Sequence, residues 1–395
     1  MENQIDVIKG INKEINDKVV GFWHYFHESP ELSFNEKKTS AFIAETLMSN
    51  NIEVHQGIGG NGLIGIIKGG KNGDSIGIRA ELDALPISEK TSLYFKSKQQ
   101  GVMHACGHDI HMASLLGTAL ILNKLKNNLP GNILLVFEPG EEQLPGGAME
   151  IINSDIFKAY SPKAMIAFHI LPELAAGKSG FCEGQYMASG DEIYLTIKGK
   201  GGHAALPNST INPIILASKV LLDLKEFIDN ETPKEFPTIL SFGKVNAEGA
   251  TNIIPNEVRI EGTFRTMDEK WRSVAHSMIE KIAKNTCQSM KGDCEIEIRK
   301  GYPSVFNNPD LTRKIKQLSA QYLGASNVVD LDKRMTTDDF AYFSQIIPSV
   351  FFRMGVGFEG IESYSLHNPS FIANDEVLKH SPGLMAWISI NLTNY

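Results

Sequence analysis

The order of strand-forming and helix-forming segments changes character near Ser189, and that change decides the architecture. Before it, apolar residues recur at helical spacing over Ile5 to Phe22 and from Glu36 to Ser49. Strand-like runs follow at Gly62–Lys68 and Ser75–Glu81, then a helix over His111–Lys126 and strands over Asn132–Glu138 and Ala164–Ile170. The run NILLVFE is apolar throughout, as a strand covered on both faces must be. Strands alternating with helices predict βαβ units and a mostly parallel sheet. After Ser189 the order is strand (Glu192–Lys200), helix (Asn212–Phe227), strand (Thr238–Val245), strand (Glu257–Thr266), helix (Asp268–Met290), strand (Cys294–Lys300). That β-α-β-β-α-β order is the split βαβ of a ferredoxin-like α+β domain. Beyond Pro303 the chain returns to helix, strand (SVFFRMG, Ser349–Gly355) and a terminal helix over Glu376–Ile388. The expectation is an α/β domain made of residues 1–187 and 302–395, with residues 188–301 inserted into it as a second domain.

A chain of 395 residues with 42% apolar content can bury a large core, and disorder would need fewer apolar residues. A formal charge of −8 argues against nucleic acid or an anionic membrane as the main partner. No apolar run approaches the roughly 18 residues a spanning helix requires. Met1 to Lys18 mixes acidic, basic and amide residues and lacks the form of a signal peptide. Cys106, Cys182, Cys287 and Cys294 are too sparse for a disulfide framework and suit a reducing compartment, so cytoplasm is expected.

Metal-capable side chains are densest in MHACGHDIH, Met103 to His111, which holds His104, Cys106, His108, Asp109 and His111. A thiolate and a neutral imidazole are both good ligands for Zn²⁺ and its first-row neighbours. A helix start with incidental histidines, Asp109 serving as its cap, accounts poorly for five such residues in eight positions. No CxxC pair accompanies them, which argues against a structural zinc knot. Glu141 and Glu142 follow the strand NILLVFE, at the end of the strand where ligands bind in open α/β sheets. One carboxylate of such a pair can hold a metal while its neighbour faces a water as general base. His169 ends AMIAFH and His367 lies in YSLHNP, and each is a weak signal by itself. Together Cys106, His108, Glu142, His169 and His367 form a mixed sulfur, nitrogen and oxygen set able to hold two ions.

These segments resemble the aminoacylase/carboxypeptidase clan of co-catalytic metallopeptidases. Within it they resemble the branch of auxin–amino-acid conjugate hydrolases, hippurate hydrolases and N-acetyl-diaminopimelate deacetylases. The likeness is carried, in the same order along nearly the whole chain, by HESPELSF (His27–Phe34), RAELDALP (Arg79–Pro86), MHACGHDIH, PGEE (Pro139–Glu142), His169, GGHAALP (Gly201–Pro207), TNIIP (Thr251–Pro255), TDDFAYF (Thr337–Phe343) and SLHNP (Ser365–Pro369). The resemblance implies that Cys106, His108, Glu142, His169 and His367 are metal ligands, with Cys106 bridging two ions. It implies Glu141 as general base, Asp83 as a carboxylate that orients a ligand, and His203 as an oxyanion stabiliser. Asn252 and Arg265 would grip a substrate carboxylate, which Arg can do in bidentate fashion. From the residues alone, Asp83 reads equally as a shaper of the turn before Pro86, and Arg265 as a solvated strand residue. Three positions depart from the clan's usual wording. Gly140 stands where alanine is common, a missing methyl expected to matter little beyond loosening the loop. Glu81 replaces aspartate, and Asp338 replaces a glutamate and so reaches less far.

The activity implied is metal-dependent hydrolysis of the amide bond of a small N-acyl amino acid or amino-acid conjugate. A dipeptidase or aminopeptidase of the same clan, and N-acetyl-diaminopimelate deacetylation in particular, are the alternatives. Retention of Glu141 with all five ligands argues against an inactive scaffold. The expected cofactor is a pair of divalent ions, zinc first, with manganese, nickel and cobalt open. The expected partners are the small substrate and further copies of the chain, as a homodimer or homotetramer joined through the inserted domain.

Overall fold

A computed structural model describes residues 2–360 and 363–393. The chain divides into two compact units. The larger comprises Met1–Gly184, Phe306–Asp332 and Asp339–Tyr395, the smaller Gln185–Val305 and Lys333–Asp338.

The larger unit opens with α1 (Glu2–Glu28), which buries Ile8, Ile15, Val19, Phe22 and Phe26 along one side. α2 (Lys37–Ser49) buries Ile43, Ala44 and Leu47. The strands β1 (Glu53–Ile58) and β2 (Gly62–Lys68) form an antiparallel pair, followed by β3 (Lys71–Glu81). β1 reads EVHQGI and is at most half-buried, so its sequence carries no apolar signal for a strand. α3 (His108–Leu125) is buried without interruption from His108 to Leu122, which is why its pattern is apolar all round. Then come β4 (Pro130–Glu138), β5 (Ala164–Ala175) and β6 (Ser179–Phe181).

The smaller unit contains β7 (Asp191–Lys198), β8 (Gly202–His203), α4 (Pro213–Glu231), β9 (Thr238–Asn246), β10 (Ile253–Ile254), β11 (Glu257–Thr266), α5 (Glu269–Ser289) and β12 (Asp293–Lys300). Its main sheet has the order β9-β11-β7-β12, antiparallel throughout. Alternate residues Ile193, Leu195 and Ile197 turn to a core shared with Leu216, Val220 and Leu224 of α4 and Ile279 and Ala283 of α5. At the start of β7, buried Asp191 accepts from Arg272 Nε at 2.9 Å and lies 2.7 Å from His276 Nε2.

The chain returns to the larger unit with α6 (Pro309–Leu323), β13 (Val328–Asp330), β14 (Ser349–Gly357) and α7 (Ser381–Leu392). Its sheet runs β1-β2-β4-β3-β5-β14-β6-β13. β4 and β5 run parallel to β3, and β14 parallel to β5, while β2 is antiparallel to β4. The result is an α/β unit with a mostly parallel mixed sheet. The helix expected over Glu376–Ile388 is two pieces, a 3₁₀ turn at Asp375–Lys379 and then α7, because Pro382 fits only the first turn of a helix. No described helix is long and apolar enough to cross a membrane.

The parallel strands deliver their carboxyl ends to one edge of the sheet. β3 leads there to Asp83 and β4 to Glu141 and Glu142, while His169 lies within β5, which continues to Ala175 rather than ending at Ile170 as expected. The N-terminus of α3 is fastened to α1 by a buried polar cluster. Asp109 Oδ2 accepts from Trp23 Nε1 at 2.9 Å and lies 2.6 Å from His27 Nδ1, and His27 Nε2 lies 3.3 Å from Glu89 Oε1. Burial alone disfavours a charged His27. The bonds to Asp109 and Glu89 outweigh it and raise the imidazole to about 9. The folded value exceeds the unfolded one, so this contribution is complete below pH 6.5 and is lost as pH rises through about 9. Chemical denaturation between pH 6 and 10 should show a loss of roughly 3 kcal/mol over that window, absent in His27→Gln, which starts less stable. Equal pH slopes for the two proteins would rule the ion pair out.

Candidate active site

Cys106 closes the loop that enters α3, and Gly107 turns the chain between it and His108 at φ 82°. A Cβ at Gly107 would lie 2.0 Å from Ile170 Cδ1, so the turn is closed to any other residue. Cys106 is buried, and its Sγ stands 3.3 Å from His169 Nε2 and 3.4 Å from His367 Nε2. His367 Nε2 is also 3.2 Å from Glu142 Oε1. Donor atoms of Cys106, His108 and His169 lie within 4.8 Å of one another, as do those of Cys106, Glu142 and His367, and those of His108, Glu141 and Glu142. The structure therefore brings together all five residues singled out as ligands, with Glu141 beside them and Cys106 common to two groups.

The imidazoles are oriented by their far nitrogens. His108 Nδ1 lies 2.9 Å from the Asp83 carbonyl oxygen and 3.3 Å from Asp83 Oδ1. His169 Nδ1 donates to the Ile170 carbonyl at 2.9 Å. Both histidines are thus held as Nδ1–H tautomers with Nε2 turned to the site. Asp83 is itself fixed, its Oδ2 accepting from Ser33 Oγ at 2.7 Å and from the Glu142 amide at 2.9 Å. It does more than shape a turn, since it joins the backbone of one candidate ligand to the ring of another. His367 sits at φ 63°, an unusual conformation for a non-glycine residue, and its amide donates to the Ala105 carbonyl at 2.9 Å.

The donor set suits divalent cations. His108 Nε2 is a buried atom with no hydrogen-bond partner among the described residues. Burial opposes charge on His108, but Glu81, Asp83 and Glu142 crowd it and push its imidazole up to about 10. Burial, Glu142 and Glu141 likewise hold the Cys106 thiol well above its usual range. Burial is the largest cause at Cys106, but nearby carboxylates push both groups the same way, and a cation would relieve that negative charge.

His111 and His104 belong to the same motif but differ. His111 Nδ1 is 2.8 Å from Glu81 Oε2 and its Nε2 accepts from the Ile170 amide at 3.0 Å, so both ring nitrogens are engaged. His104 is buried and neutral, its imidazole lowered to about 4 by burial. The roles of Ser33, Glu36, Arg79 and His111 escaped sequence reasoning. All but Glu36 lie inside the quoted motifs as they stand, yet only the fold shows what each touches.

His203, Asn252 and Arg265 lie in the smaller unit. His203 on β8 pairs with Ile253 on β10, and its Nδ1 accepts from the Ala205 amide at 3.1 Å. The Ala204 amide donates to the Asn252 carbonyl at 3.0 Å, which sets Asn252 beside the same turn. Arg265 on β11 donates from Nη1 to the Met335 carbonyl at 2.8 Å, so it is not a freely solvated strand residue.

One expectation needs correction. Gly140 has φ 70°, and a Cβ there would lie 2.5 Å from the ring of Phe34. The Gly140 amide donates to Glu36 Oε1 at 2.9 Å, and Phe34 donates to the same oxygen at 2.8 Å. Far from loosening the turn, glycine lets Phe34 pack against it, one residue before Glu141. Gly140→Ala should cost about 1–3 kcal/mol and lower turnover more than substrate affinity. A thermal melt with a kcat and KM determination checks this, and an unchanged protein would show that Phe34 yields freely.

Residues 77–384 match the family described as Peptidase family M20/M25/M40. The chain is 33% identical over 394 residues to thermostable carboxypeptidase 1 of Saccharolobus solfataricus, covering 99% of each chain. It is 34% identical over 368 residues to N-acetylcysteine deacetylase of Bacillus subtilis, covering 93% of this chain and 94% of the relative. Its fold is similar to the crystal structure of a dinuclear metal-binding peptidase of family M20 from Bacillus subtilis, with TM-score 0.84, 30% identity, and 96% and 99% of the two chains covered. The chain belongs to the M20/M25/M40 peptidase family and is a metal-dependent amidohydrolase.

Proposed function

We propose that the chain hydrolyses the amide bond of a small N-acyl amino acid or amino-acid conjugate. The observation that carries the reading is the convergence of Cys106, His108, Glu142, His169 and His367 around one thiol, with Glu141 beside them. A carboxypeptidase and an N-acyl-amino-acid deacetylase break the same bond, an acyl carbon joined to the nitrogen of a residue with a free carboxylate. Similarity to proteins bearing both names supports the bond class and leaves the acyl group open.

Cys106, His108, Glu142, His169 and His367 would hold two divalent ions. We assign zinc, because a thiolate with imidazoles is a soft to borderline set, with manganese, nickel and cobalt as alternatives for the metal assay. When bound, such ions polarise a carbonyl and make water acidic near neutral pH. Glu141 is the one carboxylate of the pair not in the ligand set, and it takes the proton from the attacking water. The same carboxyl then returns that proton to the departing amine, which leaves as a free amino acid. Asp83 keeps the His108 ring and the Glu142 backbone in register through the bonds described above.

We assign residues 188–301 as a lid and dimerisation domain. There His203 stabilises the oxyanion, while Asn252 and Arg265 grip the substrate carboxylate. Exposed Leu206, Ile214, Ile215, Leu222 and Val245 support a role in joining copies of the chain into a homodimer or homotetramer. The composition and cysteine usage support a cytoplasmic location.

Glu141→Gln should retain about two ions per chain by plasma mass spectrometry yet lose at least about 10²–10⁴-fold in kcat on N-acetyl and N-benzoyl amino acids. Chelation should abolish activity in the wild type, and zinc or manganese should restore it. Full turnover by the Gln variant would sink the assignment of the base. A protein that binds no metal and stays inactive with added ions would sink the dinuclear reading as a whole.

A further inference from the structure

The candidate ligands form two groups that share Cys106. One adds His108 and His169, the other Glu142 and His367. A residue that touches only one group can act on one ion and spare its neighbour, and His111 is so placed. It lies three residues after His108 on α3, hence on the same helix face. Its ring centroid is 5.5 Å from that of His108 and 4.7 Å from that of His169. Donor atoms of Glu81, His108 and His111 also converge, but both ring nitrogens of His111 are already engaged, so its part is not that of a ligand.

The need for His111 comes from the sheet. β3 pairs with β5 from Ile76–Ala164 to Arg79–Ala167, and that ladder stops there. β5 runs on to Ala175, paired on its other side with β14. Beyond Ala167 the amides on the β3 side of β5 must find another acceptor. The Ile170 amide finds His111 Nε2, at 3.0 Å. A ring nitrogen that accepts carries no proton, so the proton of His111 is on Nδ1, which donates to Glu81 Oε2 at 2.8 Å. Glu81 is held in turn by Arg79. Ile170 passes the constraint on. Its carbonyl accepts from His169 Nδ1 at 2.9 Å, which aims Nε2 of that ring at Cys106. A side chain on α3 thus replaces the missing strand neighbour and fixes the ring of a candidate ligand through one intervening residue.

We propose that His111 is a positioning residue that sets the affinity of one metal ion, the one that Cys106, His108 and His169 would hold. The ion of Cys106, Glu142 and His367 would be left nearly untouched. The inference rests on the dinuclear reading above. Hydrogen-bonded partners of this kind, one step behind a ligand, change metal affinity by about 10–100-fold.

Two substitutions separate the two ends of the imidazole. In His111→Gln the amide reaches the place of Nε2 and can still accept from Ile170. In His111→Asn the shorter amide stays near the place of Nδ1, keeps Glu81 and leaves the Ile170 amide without that acceptor. The metal-free full chain is titrated with zinc in competition with a chromophoric chelator, and ions per chain are counted by plasma mass spectrometry. The wild type and the Gln variant should each bind about two ions with similar affinities. The Asn variant should bind one ion as the wild type does and the other about 10–100-fold more weakly, so its turnover should need correspondingly more added zinc. Two wild-type affinities in the Asn variant would overturn the proposal. So would weakening of both ions, or a loss in the Gln variant as large as in the Asn variant, which a packing defect would give. A wild type that binds fewer than two ions would overturn the dinuclear reading itself and this proposal with it, which keeps the two failures distinct.

Discussion

The metal-capable site rests on one buried cation. The Arg79 guanidinium, with no exposed side-chain surface, pairs with Glu81, with Glu138 at 2.8 Å and with Asp339 at 2.6 Å. Each carboxylate then reaches a different piece of the site. Glu81 aligns His111, whose other nitrogen accepts from the strand carrying His169. Glu138 ends β4, two residues before the Gly140 turn. Asp339 accepts from the Ala148 amide at 3.2 Å, beyond the glutamate pair. Three carboxylates cannot all stay charged around one guanidinium. Burial and then the neighbouring Glu138 raise Asp339 well above the carboxylate range, whereas Arg79 and the histidines hold Glu81 low despite its burial. Removing Arg79 would strand several buried charges at once, the most costly way to break such a network.

Much of this was legible in the sequence because it is written in local pattern. NILLVFE and SVFFRMG are apolar runs that only a covered strand tolerates, and they are β4 and β14. DEIYLTIK alternates apolar and polar residues, the pattern of a sheet solvated on one face, and β7 is buried at every second residue. Cys106 and His108 are readable from the density of metal-capable residues around them, whereas Glu142, His169 and His367 are weak signals singly and gain weight only in company and through the family resemblance. What escaped was polar and long-range. β1 has no apolar alternation to reveal it. His27, Ser33, Glu36 and Arg79 act on residues 50 to 260 positions away, and a partner at that distance is set by topology.

Gly140 shows how a local rule fails. A glycine in a loop is ordinarily read as freedom. Here the missing Cβ is the space into which Phe34 packs, and Glu36 ties both backbones together. Gly107 works similarly against Ile170. Both sit next to proposed functional residues, so two absent methyl groups help decide where Cys106, His108 and Glu141 point.

The larger unit is discontinuous, with the smaller one written into its middle. His367 follows His169 by 198 residues, and most of the intervening chain belongs to the smaller unit. During synthesis at about 5–20 residues per second, four of the five proposed ligands leave the ribosome roughly 10–40 s before the fifth. The central strand β14 arrives almost as late, so the nascent sheet waits for its middle as well. A growing chain therefore carries an incomplete thiol and imidazole cluster for most of its translation, and only a nearly finished polypeptide can close the full coordination set.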